Sequence, residues 1–290
     1  MAEKVAILGG TGKMGRWFAR FFKTKGYRVV IGGRSPQKNR IIAEELGVES
    51  ASSNSDAVRG AHIVVVSTSI ETVPETIMQI KDSIGRGSIV FDIASVKTGI
   101  AEALEVLHAK GARVTSIHPM FGPGADSIKG KKIIVVPVVK DDTATAWVVD
   151  FFQKEGADVH MVKNAEEHDR IVAITLSLTH FLNISLGRVL ARQDIQKVKE
   201  LAGTTFSLQL TLAEAVLSED PELYYRIEAL NPFFKELAVD FMSAMKETYM
   251  DLDSKEAFVK HFIESREGLA KDSQFSTAYE RFYRALKALT

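Results

Sequence analysis

His118 closes the run "ARVTSIHP" (112–119) and is followed by Pro119 and a loop with two glycines, "MFGPG". An imidazole at the tip of a strand is neutral near physiological pH, so it can take the proton of a carbinol while the hydride leaves. Comparable places are held by Ser67 and Thr68 after "AHIVVV" and by Ser95 and Lys97 in "DIASVK". A serine beside the imidazole could hold its tautomer. Alone, such a histidine would more often be a packed corner; what favours proton handling is the nucleotide-binding pattern upstream.

The elements that must position these groups come from a repeated pattern of a β-branched run, a turn and a helical stretch. The runs lie at 4–10, 27–33, 61–68, 87–95, 112–119, 131–139 and 157–162. Several are continuous apolar blocks without alternation, as in parallel strands covered on both faces. The predicted fold class is α/β, a Rossmann-type doubly wound nucleotide-binding domain followed by an all-α dimerisation domain. After Lys163 no further strand is expected. Asn164 and Glu167 have the spacing of a capping box opening a long helix, which divides the chain into 1–163 and 164–290.

The first run leads into "GGTGKMG", where Gly10, Gly12 and Gly15 fit G-x-G-x-x-G. Such a turn is tight, lets backbone approach a pyrophosphate and lets the next helix pack closely, its N-terminus facing the phosphates. Gly10, Thr11, Gly12, Lys13, Met14 and Gly15 are therefore the expected cradle, with Ser67 and Thr68 beside it. At the second strand tip, where NAD sites usually place an acid, stands "GGRSPQK". No Asp or Glu occurs from Lys4 to Ala43, against ten Lys and Arg. Arg34, Ser35 and Lys38 could hold a 2′-phosphate, so NADP is favoured over NAD.

Lys+Arg and Asp+Glu number 37 each, so no global field draws the chain to nucleic acid or an anionic membrane. With no cysteine, disulfides and thiolate metal sites are excluded, and no metal is expected. The opening residues lack a signal-peptide layout, which predicts a cytoplasmic protein. Residues 171–187 carry no charge, near the minimum for a spanning helix. His180, Asn183 and several hydroxyls interrupt them, so a helix buried in protein on every side is expected, and no membrane partner.

"GGTGKMG", "DIASVK", "IHPMFGPG", "EEHDR" and "LTHFL", in this order, resemble the prephenate and arogenate dehydrogenase family of tyrosine biosynthesis, from Gly9 to about Tyr225. The resemblance implies oxidative decarboxylation of a cyclohexadienol, prephenate or arogenate, with hydride transfer to a nicotinamide, and a homodimer joined through the helical domain. It implies that His118 is the catalytic histidine, that Ser95 contacts the ring hydroxyl or His118, and that His180 reaches toward the substrate side chain. His168 and Asp169 in "EEHDR" are also family-like; their place in the first helical turn suggests a structural role, docking that helix on the nucleotide domain.

One departure concerns the ring carboxylate. Where the family usually carries a clamping arginine this chain has Glu214 and Ala215, and another frequent arginine position is Ser207. A dianionic substrate calls for bidentate cations, and Arg188, Arg192 and Arg226 are the candidates to substitute. Two other readings stay open: an NADP-dependent reductase with a helical dimerisation domain acting on a hydroxy acid, an imine or a deazaflavin, and a catalytically silent NADP-binding regulator.

Overall fold

The computed structural model describes residues 2–140 and 143–287. Eight strands form one sheet: β1 (Lys4–Leu8), β2 (Arg28–Gly32), β3 (Glu49–Ser50), β4 (Ile63–Val66), β5 (Ile89–Asp92), β6 (Arg113–Pro119), β7 (Lys132–Val136) and β8 (Asp158–Met161), in the spatial order 3-2-1-4-5-6-7-8. The two-residue β3 lies outside the sequence-predicted runs because Glu49–Ser50 offers no apolar block; it pairs with Val30 and Ile31 of β2.

Strands β1 to β6 run parallel, but β7 is antiparallel to β6 and β8 is parallel to β7. The reversal at β7 has a local reason. A parallel return needs a crossover, usually a helix, and residues 120–131 are a Gly- and Pro-bearing loop with none. The chain therefore doubles back, and Met120 N–H donates to the Lys132 carbonyl.

Six helices pack with the sheet: α1 (Lys13–Thr24), α2 (Pro36–Leu46), α3 (Asn54–Val58), α4 (Val73–Ile80), α5 (Ala101–Ala109) and α6 (Thr143–Lys154). Trp17, Phe18, Phe21 and Phe22 recur at i, i+1, i+4 and i+5, which gathers them on one face of α1. The three phenylalanines meet Phe151 and Phe152 of α6, with Phe22 stacked on Phe151 at 5.7 Å and Phe21 on Phe152 at 6.2 Å. Trp17 also donates through Nε1 to the Ala125 carbonyl at 2.7 Å. That bond anchors the loop following His118 to the helix following the dinucleotide turn.

Then come α7 (Ala165–Val172), a π-helical stretch (Ala173–Ser177), α8 (Leu178–Leu190), α9 (Ile195–Glu200), α10 (Thr204–Leu217), α11 (Pro221–Leu230), α12 (Phe234–Met250), α13 (Lys255–Leu269) and α14 (Ala278–Lys287). The start of α7 is as predicted: the Asn164 side chain accepts the Glu167 N–H at 2.9 Å. Two compact units result. The first runs to Ala173 and takes in Tyr225–Phe233; the second comprises Ile174–Tyr224 and the chain from Phe234. Helix α7 clusters with the sheet.

Within the second unit, Asn183 of α8 donates to the Thr179 carbonyl and accepts from Gln209 of α10, both at 2.8 Å. Leu217 of α10 lies against Gly187, where an added Cβ would fall 2.3 Å from its Cδ1. Residues 165–190 make one helix long and apolar enough to cross a membrane by length and composition. It is not buried on every side, which corrects the sequence expectation: Ile174 and Val189 are 57% and 58% exposed. A single copy of the chain does not supply enough neighbours to cover it.

Candidate functional site

The carboxyl ends of β1, β4, β5 and β6 lie on one edge of the sheet, the edge at which open α/β sheets bind ligands. At β1 the chain turns through Gly9 at φ +80, and its N–H donates to the Gly32 carbonyl at 2.9 Å. A Cβ on Gly9 would lie 2.4 Å from the Ser67 carbonyl oxygen, and one on Gly15 would lie 2.3 Å from that of Gly9. Gly10 is closed off by Ile31, at 2.6 Å. The place of a Gly12 Cβ is open by comparison, its nearest neighbour lying 3.4 Å away.

Gly12 is also the N-cap of α1; it makes no side-chain cap, and no acid stands in the first turn. Such an uncapped, positively polarised helix end beside open backbone fits a pyrophosphate. Thr11 and Met14 are half-buried here and Lys13 is exposed. At the tip of β2, the buried Asn39 donates to the Gly33 carbonyl at 3.2 Å and fixes the loop carrying Arg34. Arg34, Ser35 and Lys38 are exposed, and Ser35 caps α2 by accepting the Lys38 N–H. The residues present thus fit a dinucleotide.

His118 sits on β6 opposite Ile134 of β7, 4% exposed. Its Nδ1 is 3.0 Å from Nε2 of His168, whose Nδ1 is 2.7 Å from Oδ1 of Asp169. That carboxylate also accepts the N–H groups of Lys97 and Thr98, both at 2.9 Å, and the Thr98 hydroxyl at 2.6 Å. Lys97 Nζ in turn donates to Asp92 Oδ1 at 2.7 Å and to the Ile117 carbonyl at 2.6 Å. Four segments distant in sequence, 92, 97–98, 117–118 and 168–169, thereby meet in one buried cluster.

Burial, then His168 and Lys97, hold the His118 imidazole well below its ordinary range. Burial likewise lowers His168 against the opposing pull of Asp169. For Asp169, burial pushes the carboxyl up, but hydrogen bonds from His168, Thr98 and the Lys97 N–H outweigh it and leave it below its usual value. The cluster therefore presents neutral imidazoles beside an ionised carboxylate. Among the described residues, His118 makes its one side-chain hydrogen bond through Nδ1, so Nε2 is the nitrogen left to meet a ligand.

Of the other sequence candidates, Ser67, Thr68 and Ser95 are half-buried at the same edge. Thr68 Oγ1 is 3.4 Å from Thr76 Oγ1. The partner of His118 Nδ1 is His168, the place a serine was expected to fill. His180 belongs to the helical unit, edge-on to Tyr224 at 4.4 Å, and burial takes it down to about 4. Among the described residues its Nδ1 is buried without a partner. Arg226 is paired with Glu71 at 2.7 Å, while Arg188 and Arg192 are exposed. The strand-tip position of Lys97 does not announce its ion pair with Asp92; Asp169 fills the docking role expected of "EEHDR" by accepting the Lys97 and Thr98 N–H groups, while the contact of His168 with His118 was not expected. The signal available for those two was their placement in consecutive positions of a motif shared with the family.

A family model described as the prephenate dehydrogenase nucleotide-binding domain matches residues 18–161, and one described as the prephenate dehydrogenase dimerization domain matches 164–264. The chain belongs to the prephenate dehydrogenase family. It is 33% identical to a probable arogenate/prephenate dehydrogenase of Methanocaldococcus jannaschii, over 99% of this chain and 65% of that protein. It is 30% identical to the T-protein of Haemophilus influenzae, over 85% of this chain and 60% of that one. The chain thus spans about two-thirds or less of these relatives' length. In fold it resembles prephenate dehydrogenase from A. aeolicus in complex with hydroxyphenyl propionate and NAD+, with TM-score 0.72 and 20% identity over 93% of this chain and 98% of that one. The mixed sheet with a helical C-terminal part is thus the architecture of prephenate dehydrogenases, as the motifs implied.

Proposed function

We propose that this member of the prephenate dehydrogenase family oxidises a hydroxycyclohexadienyl carboxylate, prephenate or arogenate, with NADP as hydride acceptor. The observation that carries the reading is His118: an uncharged imidazole with Nε2 unengaged, on the same strand edge as the dinucleotide turn. The descriptions of the relatives support the substrate class. Arg34, with Ser35 and Lys38 beside it and no acid at the strand tip, supports NADP.

When bound, the nicotinamide supplies the hydride acceptor. His118 Nε2 accepts the hydroxyl proton as the hydride leaves the carbinol carbon. The ring carboxylate departs as carbon dioxide, its bonding pair entering the ring, and the proton returns from His118 to the phenolate oxygen. No proton is released overall, so a base sealed from solvent is chemically adequate. Ser95 stands at the neighbouring strand tip to contact the same hydroxyl.

The assay is nicotinamide reduction measured with prephenate and arogenate side by side, each with NADP and NAD. Turnover of at least one, faster with NADP at low cofactor, is expected; no turnover of either overturns the substrate assignment.

The same reading makes the helical unit a homodimer interface. Support comes from the description of the matched dimerization domain and from apolar side chains such as Leu201 (82% exposed) and Leu252 (69% exposed). Sedimentation should give twice the chain mass of 32.0 kDa; a monomer at micromolar concentration would rule it out.

A further inference from the structure

Helix α7 brings two fully buried polar side chains, His168 and Asp169, that the oxidation described above does not use. Their hydrogen bonds fix where the protons lie. Both oxygens of Asp169 already accept backbone N–H donors, Lys97 on Oδ1 and Thr98 on Oδ2, so the carboxylate is an acceptor only. The hydrogen in the 2.7 Å contact between His168 Nδ1 and Asp169 Oδ1 therefore belongs to the histidine. A neutral His168 then has a bare Nε2, and the 3.0 Å contact across to His118 must be filled by a hydrogen on His118 Nδ1. That leaves His118 Nε2 as a lone pair.

We infer that His168 and Asp169 form a positioning dyad for His118, holding it in the tautomer whose Nε2 can accept a proton and sharing the charge that arrives with it. The inference rests on the proposed oxidation for its consequence in catalysis. Without the dyad, a buried imidazole could equally carry its hydrogen on Nε2, where it would be a donor and no base. With it, proton arrival at His118 Nε2 is answered by movement of the Nδ1 hydrogen to His168 Nε2. One O–H and one N–H bond break, two N–H bonds form, and the positive charge comes to rest against Asp169. The return step reverses each transfer.

Charge sharing matters because the surroundings do not favour a second cation. Lys97, whose charge acts on His118, is paired with Asp92, and the strand on the other side presents Ile134 opposite His118. The logic parallels a serine-protease triad, where the buried carboxylate fixes a histidine tautomer, with one more imidazole in the chain.

The test begins with the unmodified protein. Long-range proton–nitrogen spectra of chain labelled with 15N in its histidine rings, with His118 assigned by its loss in His118→Asn, should show hydrogen on Nδ1 of His118 and of His168. Hydrogen on Nε2 of His118 overturns the inference, and this readout needs neither substrate nor a destabilised variant. In His168→Gln, kcat should fall about 10²-fold with KM changed less than about threefold, as when an orienting partner is lost, and His118 should give signals of both tautomers. A folded His168→Gln with unchanged kcat would also overturn it. If the unmodified protein turns over neither prephenate nor arogenate, the proposed substrate falls while the spectra still decide the dyad.

Discussion

Lys97 and Asp92 form an ion pair at 2.7 Å with side chains 1% and 0% exposed. The ammonium also reaches the Ile117 carbonyl, one residue before His118, while the same residue's N–H holds Asp169. Lys97 thus ties the end of β5, the end of β6 and helix α7 together. Burial lowers it, and Asp92 and Asp169 draw it back toward its charged form.

Lys97→Met should destabilise the protein by about 3–5 kcal/mol, because breaking a buried pair leaves an uncompensated carboxylate. Adding Asp92→Asn should recover much of the loss. Urea unfolding of the three proteins is the measurement. A single variant as stable as the parent would mean that the pair contributes nothing.

Gly15→Ala should weaken NADP binding by more than about tenfold, or 1.4 kcal/mol, since its Cβ would meet the Gly9 carbonyl oxygen at 2.3 Å and displace the turn. Fluorescence titration measures the affinity. Gly12→Ala, whose Cβ would meet nothing nearer than the Gly9 carbonyl oxygen at 3.4 Å, should retain a native unfolding curve even if it binds NADP poorly.

Arg34→Ala should cost NADP about ten- to a hundredfold in affinity, the range for one charge-assisted hydrogen bond, and leave NAD nearly unchanged. Equal losses for both cofactors would assign Arg34 to a general role at the adenosine end.

His118→Asn should lower kcat by about 10²–10⁴-fold, the usual scale for loss of a general base, with cofactor affinity preserved. Stopped-flow hydride transfer with the accepted substrate gives the comparison, and a rate near that of the parent removes the histidine from the chemistry.

Stability should fall on the acid side. His118 and His168 lie below the ordinary value of 6.5 in the fold, so as pH drops below that value the unfolded chain binds protons the folded one refuses. Stability is then lost at up to about 1.4 kcal/mol per pH unit for each histidine that stays neutral. Asp169, also held low, keeps its contribution above the ordinary carboxylate range and loses it only as pH falls through its own lowered value. Unfolding at pH 7.5 and pH 5 should differ accordingly, and His168→Gln should flatten the slope; a flat profile in the parent would mean these imidazoles charge freely.

Sequence alone determined the features that live within one strand and the turn after it. The glycine spacing of 10, 12 and 15, the acid-free tip of β2 and the placement of His118 before Pro119 are local, because strand, turn and helix start are each decided by residues a few positions apart. Tertiary structure decided what joins distant segments. His118 meets His168 across 50 positions, and Lys97 meets Asp169 across 72, contacts set by how α7 docks and invisible to any periodicity. The reversal of β7 depended on a missing crossover helix, and the apolar flank of residues 174–189 on how few neighbours one chain can offer. The proton chemistry proposed for this site rests on that second group of contacts, since a histidine's tautomer is chosen by its hydrogen-bond partner and not by its position in the chain.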